Sequence, residues 1–435
     1  MNLLNNKLFL LFLLLFVCNC SFDNKTGLWK KEDLSIENKN IKIILKNKQN
    51  YIKEVKPDLK IIIASNPINE SFVNNLNNNN GQQNYDGALE NLGKYKFSSI
   101  KNFNKVESEI IVHDNGIIFF NKKGTILKFN NKSKIDWKRN IYLKSEKKMN
   151  PILSMSLKGN VLVVADNLAR YYAIDAKSGN LIWERRNSSP FNSQIKISDD
   201  KIYIVDYENI LRCFSLKTGD QIWNIKTENS FIKSKKKLSI AISEDKIYFN
   251  NYIGDIGSVD ANSGELIWQT PTQKNSVYQD AFLLETSDIV LNDNNIFFSN
   301  NKNKFLSISK KNGFINWEKS INSTLRPTII DNLIFTISMN GYFVILDKET
   351  GEVIRSTYIF DQIKNKKIKN LLPTGFIVGS NKIYLSTNKG YLIVVNISSG
   401  KTITSKKIAG SQISRPYLSE NNFYILKSGS VIKFN

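Results

Sequence analysis

Side chains able to do chemistry are scarce in this chain of 435 residues. It holds one histidine, His113, and three cysteines, Cys18, Cys20 and Cys213. A zinc site wants three or four His, Cys or carboxylate ligands at close spacing, and the sequence offers no such cluster. Any Ser–His or Cys–His nucleophile pair would have to draw on His113 alone. The composition therefore speaks against an enzyme. No catalytic residue, metal, cofactor or small-molecule substrate is expected.

The formal charge of +22 at first suggests a polyanion partner, but only eight of the 61 basic residues are arginine. Nucleic-acid recognition favours Arg for bidentate contacts and clusters its charges on one element. Here lysines are spread along the chain, so no nucleic-acid partner is expected. Lysine, asparagine (58 residues) and isoleucine are abundant together, the pattern of an AT-rich coding bias. The alternative use of the charge is attraction to anionic headgroups or acidic partner surfaces.

The first residues read as an export signal. Lys7 supplies a positive start, and Leu8 to Val17 is an apolar run of ten residues, too short to span a bilayer. It ends at Val17-Cys18-Asn19-Cys20-Ser21. A cysteine directly after such a run resembles the lipobox of bacterial lipoproteins, which makes Cys20 the expected lipidation site; plain secretion with an incidental cysteine is the alternative. Asn19 stands where that pattern has Gly, Ala or Ser, and Ser21 resembles its outer-membrane sorting signal. The expected division is a signal peptide over 1–19, a lipidated N-terminus and flexible tether over 20–92, and a folded body over 93–435. Within the tether, Ile41 to Leu45 and Leu59 to Ala64 read as short strands or helix turns. Asn74 to Asn84 (NNLNNNNGQQN) is polar, of low complexity, and read as a linker unable to bury anything.

The elements that would position any functional side chain come from a repeat that begins past residue 105. Its unit is an Asn/Asp turn, two strands, Ser/Thr-Gly, then a strand with Trp four residues after the Gly. Examples are GNVLVVADNLARYYAIDAKSGNLIW ending at Trp183 and DKIYFNNYIGDIGSVDANSGELIW ending at Trp268. Trp137, Trp183, Trp223, Trp268 and Trp317 close five copies. Two more copies carry Arg355 and Thr404 at the Trp position, and an eighth (NNFYILKSGSVIKFN) lacks a last strand. Strand-rich units of this length bury both faces only when packed radially, which gives an all-β, eight-bladed β-propeller of four-stranded antiparallel blades. Residues 94–101 (KYKFSSIK) are expected to supply the missing strand and close the ring. The five Trp residues are expected to pack between adjacent blades rather than stack on a cofactor. The repeat glycines, Gly179 and Gly219 among them, are expected in turns with φ > 0.

The phrases AIDAKSGNLIW and SVDANSGELIW resemble the PQQ-type propeller repeat, found in quinoprotein dehydrogenases and in the BamB family of outer-membrane assembly lipoproteins. The resemblance covers roughly residues 94–435. The lipoprotein-like start, the length, and the lack of a vicinal cysteine pair, calcium ligands and a carboxylate base favour the BamB family over the dehydrogenases. Cys213, alone in a strand, reads as a core residue. The resemblance implies a non-enzymatic, lipid-anchored scaffold on the periplasmic face of the outer membrane. It would dock the periplasmic domains of a BamA-like barrel-forming subunit and, with them, nascent outer-membrane proteins. It also implies contact loops that match here at Phe231-Ile232-Lys233-Ser234 and Glu285-Thr286-Ser287-Asp288. Ile232, Lys233, Glu285 and Asp288 are thus the expected partner contacts. A scaffold for another envelope complex and a quinone-dependent oxidoreductase with an aberrant site stay open beside this.

Overall fold

A computed structural model describes residues 53–63, 74–101, 103, 109–228, 233, 236–273, 284–419 and 421–435. Cys18, Cys20 and Ile232 lie outside the described residues. Within the compact unit that starts at residue 52, the described strands form eight sheets of four antiparallel strands, each sheet following chain order except the last. The chain is an eight-bladed β-propeller. The first blade runs from Ile111 to Arg139, the second from Leu153 to Arg186 and the third from Lys196 to Lys226. The fourth runs from Ile240 to Thr270, the fifth from Val290 to Lys319, the sixth from Thr328 to Tyr358 and the seventh from Pro373 to Lys407. In the eighth, three C-terminal strands (Tyr417–Ser419, Asn422–Lys427, Ser430–Phe434) are completed by Asn91–Lys96. Tyr95 there pairs with Val431 and is almost wholly buried. The closing strand therefore starts three residues before the expected segment and ends at Lys96.

The blade profile follows from side-chain alternation and position. Middle strands such as Ile296–Phe298 and Phe343–Leu346 are buried on both faces. Outer strands alternate: Gln221–Lys226 turns every second side chain to solvent. In seven blades the register shifts between the third and fourth strands, as at Cys213/Phe214 opposite Trp223 and Gln221. The extra residue of each bulge precedes the Trp position and aims that side chain toward the following blade.

Five indoles cross to the next blade in the same way. Trp137 Nε1 donates to Ala176 O at 3.1 Å, Trp183 to Leu216 O at 2.9 Å, and Trp223 to Ala261 O at 3.2 Å. Trp268 donates to Lys310 O and Trp317 to Lys348 O, both at 3.2 Å. Each ring lies on the repeat glycine of the receiving blade. Gly179 has φ +73°, and a Cβ there would fall 2.7 Å from the Trp137 ring. The glycine thus serves both the turn and the close approach of the indole.

Two of the three seams without Trp are filled from the segment ahead of the closing strand. At the sixth blade Arg355 is fully buried, donates to Ile397 O at 2.6 Å and Leu59 O at 3.0 Å, and lies against Phe343. Val55 pairs with Ser356 on the same strand, and Ile61 joins the apolar cluster between the sixth and seventh blades. At the seventh blade Thr404 is exposed. Tyr85 occupies that seam instead, stacked on Phe423 at 5.4 Å and tilted against Tyr384 at 5.2 Å.

Over its described residues, 53–63 and 74–92, the expected tether is corrected, and the Asn-rich run most of all. Asn78 and Gln83 are fully buried, and Asn80 and Gln82 nearly so. Asn74 pairs both ways with Ile197 of the third blade, donating to its carbonyl at 2.7 Å and accepting from its N–H at 3.0 Å. Asn78 donates to Ile240 O and Ile289 O at 2.9 and 2.8 Å. Asn79 pairs both ways with Ile329 of the sixth blade, and Gln82 bridges to Val378 of the seventh. Inner strands present unpaired peptide groups along the axis, where leaving them unmade is costly. A primary amide both donates and accepts, as a peptide does, so Asn and Gln seal these edges.

Candidate functional site

Loops that enter the first strand of each blade converge on one side of the axis and enclose a funnel of about 500 Å³. Its charged lining comes from separate blades: Glu109, Lys196, Lys236, Lys237, Glu285, Asp288, Arg326 and Arg415. Apolar wall is supplied by Met155, Leu325, Met339, Leu372, Pro373 and Tyr417. Arg326 Nε donates to Asp288 Oδ2 at 2.5 Å, and its Nη2 donates to Glu109 Oε1 at 3.1 Å. Arg415 Nη2 reaches the same Glu109 oxygen at 3.4 Å. Lys196 Nζ sits at the floor, donating to Asn78 Oδ1 at 2.7 Å and to Asn75 O of the axial segment. On the wall, Lys237 Nζ donates to Ser154 Oγ at 2.7 Å and Lys236 Nζ to Thr324 O.

Electrostatics inside the funnel follow from crowding and burial. Burial opposes ionisation of Asp288, but Arg326 overcomes it, with Lys236 and Arg415 behind, and holds the carboxyl at about 2. Burial, reinforced by Arg326, lowers Lys196 to about 7. Arg415 is lowered by burial and by Arg326, whereas Arg326 is raised by Asp288 and Glu109 against its burial cost.

Of the four expected contact residues, three are described. Glu285 is exposed at the funnel rim, its N–H bonded to Asn301 Oδ1 at 3.1 Å. Asp288 is on the funnel wall with its carboxylate turned to Arg326. Lys233 is half-buried on the Tyr252 ring, 5.2 Å from its centroid. Cys213 is fully buried in the third blade, its thiol pushed up to about 12 by burial, which suits a core residue.

Sequence reasoning missed Glu109, Lys196, Arg326 and Arg415. A signal for two of them was present. Arg326-Pro327 and Arg415-Pro416 are two of the chain's few arginines, placed alike ahead of the inner strands of the sixth and eighth blades. Asp288 was singled out, but its arginine was not.

A quinone with calcium, as in dehydrogenases that share the repeat, does not fit these residues. No vicinal cysteine pair lines the funnel. Among the described residues no group of three His, Cys, Asp or Glu could hold a metal ion.

Comparison with known proteins places this architecture. The solved structure of BamB from Moraxella catarrhalis superposes with a TM-score of 0.66 at 15% identity, covering 80% of this chain and all of that one. Quinohemoprotein alcohol dehydrogenase from Comamonas testosteroni superposes at 0.60 with 11% identity over 81% of this chain and 78% of its own. Both likenesses are of fold. In sequence, the chain is 24% identical over 261 residues to outer membrane protein assembly factor BamB of Moranella endobia (strain PCIT), covering 59% of this chain and 65% of that protein. The chain thus spans a little under two thirds of that relative. The sequence model of the family described as outer membrane protein assembly factor BamB matches residues 122–357, from the first blade into the last strand of the sixth. With more than half of its length so matched, this protein belongs to the BamB family of outer membrane protein assembly factors.

Proposed function

We propose that this protein is a non-enzymatic scaffold subunit of the outer-membrane β-barrel assembly machinery. Cys20 carries the lipid anchor, the body lies on the periplasmic side, and the partner is the periplasmic part of the barrel-forming subunit. The observation that carries this is the family match across six consecutive blades. The mechanism is positional: no bond is made or broken. Five indole contacts between blades and a sealed axis make a stiff disc, whose loops hold a partner in one orientation. The docking loops are those flanking the fourth blade. The first holds Ile232 and Lys233, and the second holds Glu285 at its exposed edge, with Asp288 bracing its base through Arg326.

Affinity capture of the anchored protein from its native envelope, with partners identified by mass spectrometry, tests this. The double variant Lys233→Glu, Glu285→Lys is the control, because Glu285 is exposed and Lys233 only half-buried. Asp288 is unsuited to charge reversal, since losing it strands a buried guanidinium. Recovery of the barrel-forming subunit with the unaltered protein, and its loss by tenfold or so in the variant, is the expected result. Stable capture of a different envelope complex would overturn the assignment.

A further inference from the structure

Among the described residues, five cations and three acids line the funnel. At its base, among the described residues, Lys196, Arg326 and Arg415 face Glu109 and Asp288. Asp288 is committed to Arg326, and one oxygen of Glu109 serves both guanidiniums. Arg415 is left with a share of that carboxylate at 3.4 Å, and its buried Nε has no protein hydrogen-bond partner. Lys196 Nζ donates to the amide oxygens of Asn75 and Asn78. Positive charge held this way in a poorly hydrated site favours an incoming anion.

The walls narrow the choice of anion. Met155, Leu325, Met339, Leu372, Pro373 and Tyr417 surround the charged base, so a hydrated inorganic ion would leave most of the surface uncovered. A carboxylate on a short stem with apolar neighbours covers both parts, and a cavity of about 500 Å³ takes a few side chains. The mouth favours the same ligand. Loops between blades on this face expose Lys144, Lys148, Lys364, Lys366, Lys367 and Lys369. The opposite face carries exposed turn carboxylates, among them Asp114, Asp200, Asp245, Asp293 and Asp331. An acidic chain is therefore drawn toward the funnel side.

We propose that the axial funnel is a receptor for an acidic peptide segment of a protein partner, one carboxylate of which pairs with Arg415 and Lys196 at its base. This deepens the docking function proposed above and rests on it only for the source of the segment. A planar lipid surface could meet the rim lysines but would not fill a recessed base, so anionic lipid is an outcome of the test.

Fluorescence anisotropy with a labelled nonapeptide, Gly-Ser-Leu-Glu-Phe-Glu-Leu-Ser-Gly, and its Gln counterpart reads the proposal directly on the full chain. The Glu peptide should bind at least about tenfold more tightly than the Gln peptide, since each lost charge-assisted bond weakens binding by that order. Arg415→Met should remove that preference, and Arg415→Lys, which keeps the charge but not the fork, should retain part of it. The rim double variant Lys366→Gln, Lys367→Gln should bind within about twofold of the unaltered protein at physiological salt. Equal binding of the two peptides, or an unchanged preference in folded Arg415→Met or Arg415→Lys, overturns the proposal. So does binding seen only with vesicles containing phosphatidylglycerol. Envelope capture reads the docking function separately: peptide binding lost with capture intact sinks the funnel alone, and the reverse sinks the docking loops.

Discussion

Lys196 is the residue whose placement the chemistry of a propeller axis constrains most tightly. Its side chain is almost wholly buried at the funnel floor, and burial, with Arg326 and Arg415 opposing its charge and Glu109 and Asp288 supporting it, lowers it to about 7. An unfolded lysine titrates near 10.4. Between these values the unfolded chain binds more protons than the folded one, so stability rises with pH across that window. The slope is at most about 1.4 kcal/mol per pH unit. Below about 7 both states are protonated and the full cost of burying the charge is felt. Lys196→Met removes this term, although it leaves Asn75 O and Asn78 Oδ1 without their donor, a loss that does not depend on pH. Urea unfolding at several pH values should show the unaltered protein gaining on Lys196→Met from neutral to alkaline conditions. A difference that stays flat with pH would show that burial does not lower the titration of this ammonium. Asp288 behaves oppositely: held at about 2, it stabilises the fold above the ordinary carboxylate range, and that stability is lost as pH falls toward 2.

The axial segment shows, at the scale of an element, why some structure was legible in the sequence and some was not. Blade strands, bulges and Trp–Gly seams are written in local spacing, because each unit repeats the same strand alternation and the same turn. The run from Asn74 to Gln83 has no periodicity, and polar low-complexity sequence ordinarily marks a linker. Its partners, such as Ile240, Ile289 and Ile329, are more than a hundred residues away, and nothing local announces that eight inner strands leave amides unpaired. The same holds for the site: Asp288 could be singled out in a loop, but its pairing with Arg326 depends on how blades converge. The seal has a measurable consequence. Asn78→Ala strips a donor from two buried carbonyls and an acceptor from Lys196, which should cost about 2–4 kcal/mol. Asn77→Ala, whose side chain accepts only from the N–H of Asn79, should cost less than about 1 kcal/mol. Urea midpoints at constant slope decide it: equal effects of the two substitutions would return the segment to a linker.

At the scale of the whole molecule, the ring is held shut by one strand that enters from the far end of the chain. Asn91–Lys96 pairs with Ser430–Phe434, and Tyr95 packs edge-on against Phe129 of the first blade, with ring centroids 5.7 Å apart. The strand thereby closes the eighth blade, inside which the break in chain order falls, and its ring packs across the seam to the first. Every other blade is built from consecutive strands, and only the eighth joins the two ends of the repeat array by strand pairing alone. Closure therefore concentrates at Tyr95, whose truncation removes a buried ring from both blades at once. Tyr95→Ala should lower stability by about 3–5 kcal/mol, the range for a large buried aromatic. That loss should be local before it is global, because propeller blades contact only their neighbours. Hydrogen exchange followed by mass spectrometry should show protection falling first in Ser430–Phe434 and Ile111–His113, with the third to fifth blades retaining theirs. Uniform loss around the ring would instead mean that the disc opens as one cooperative body and that no single seam governs it.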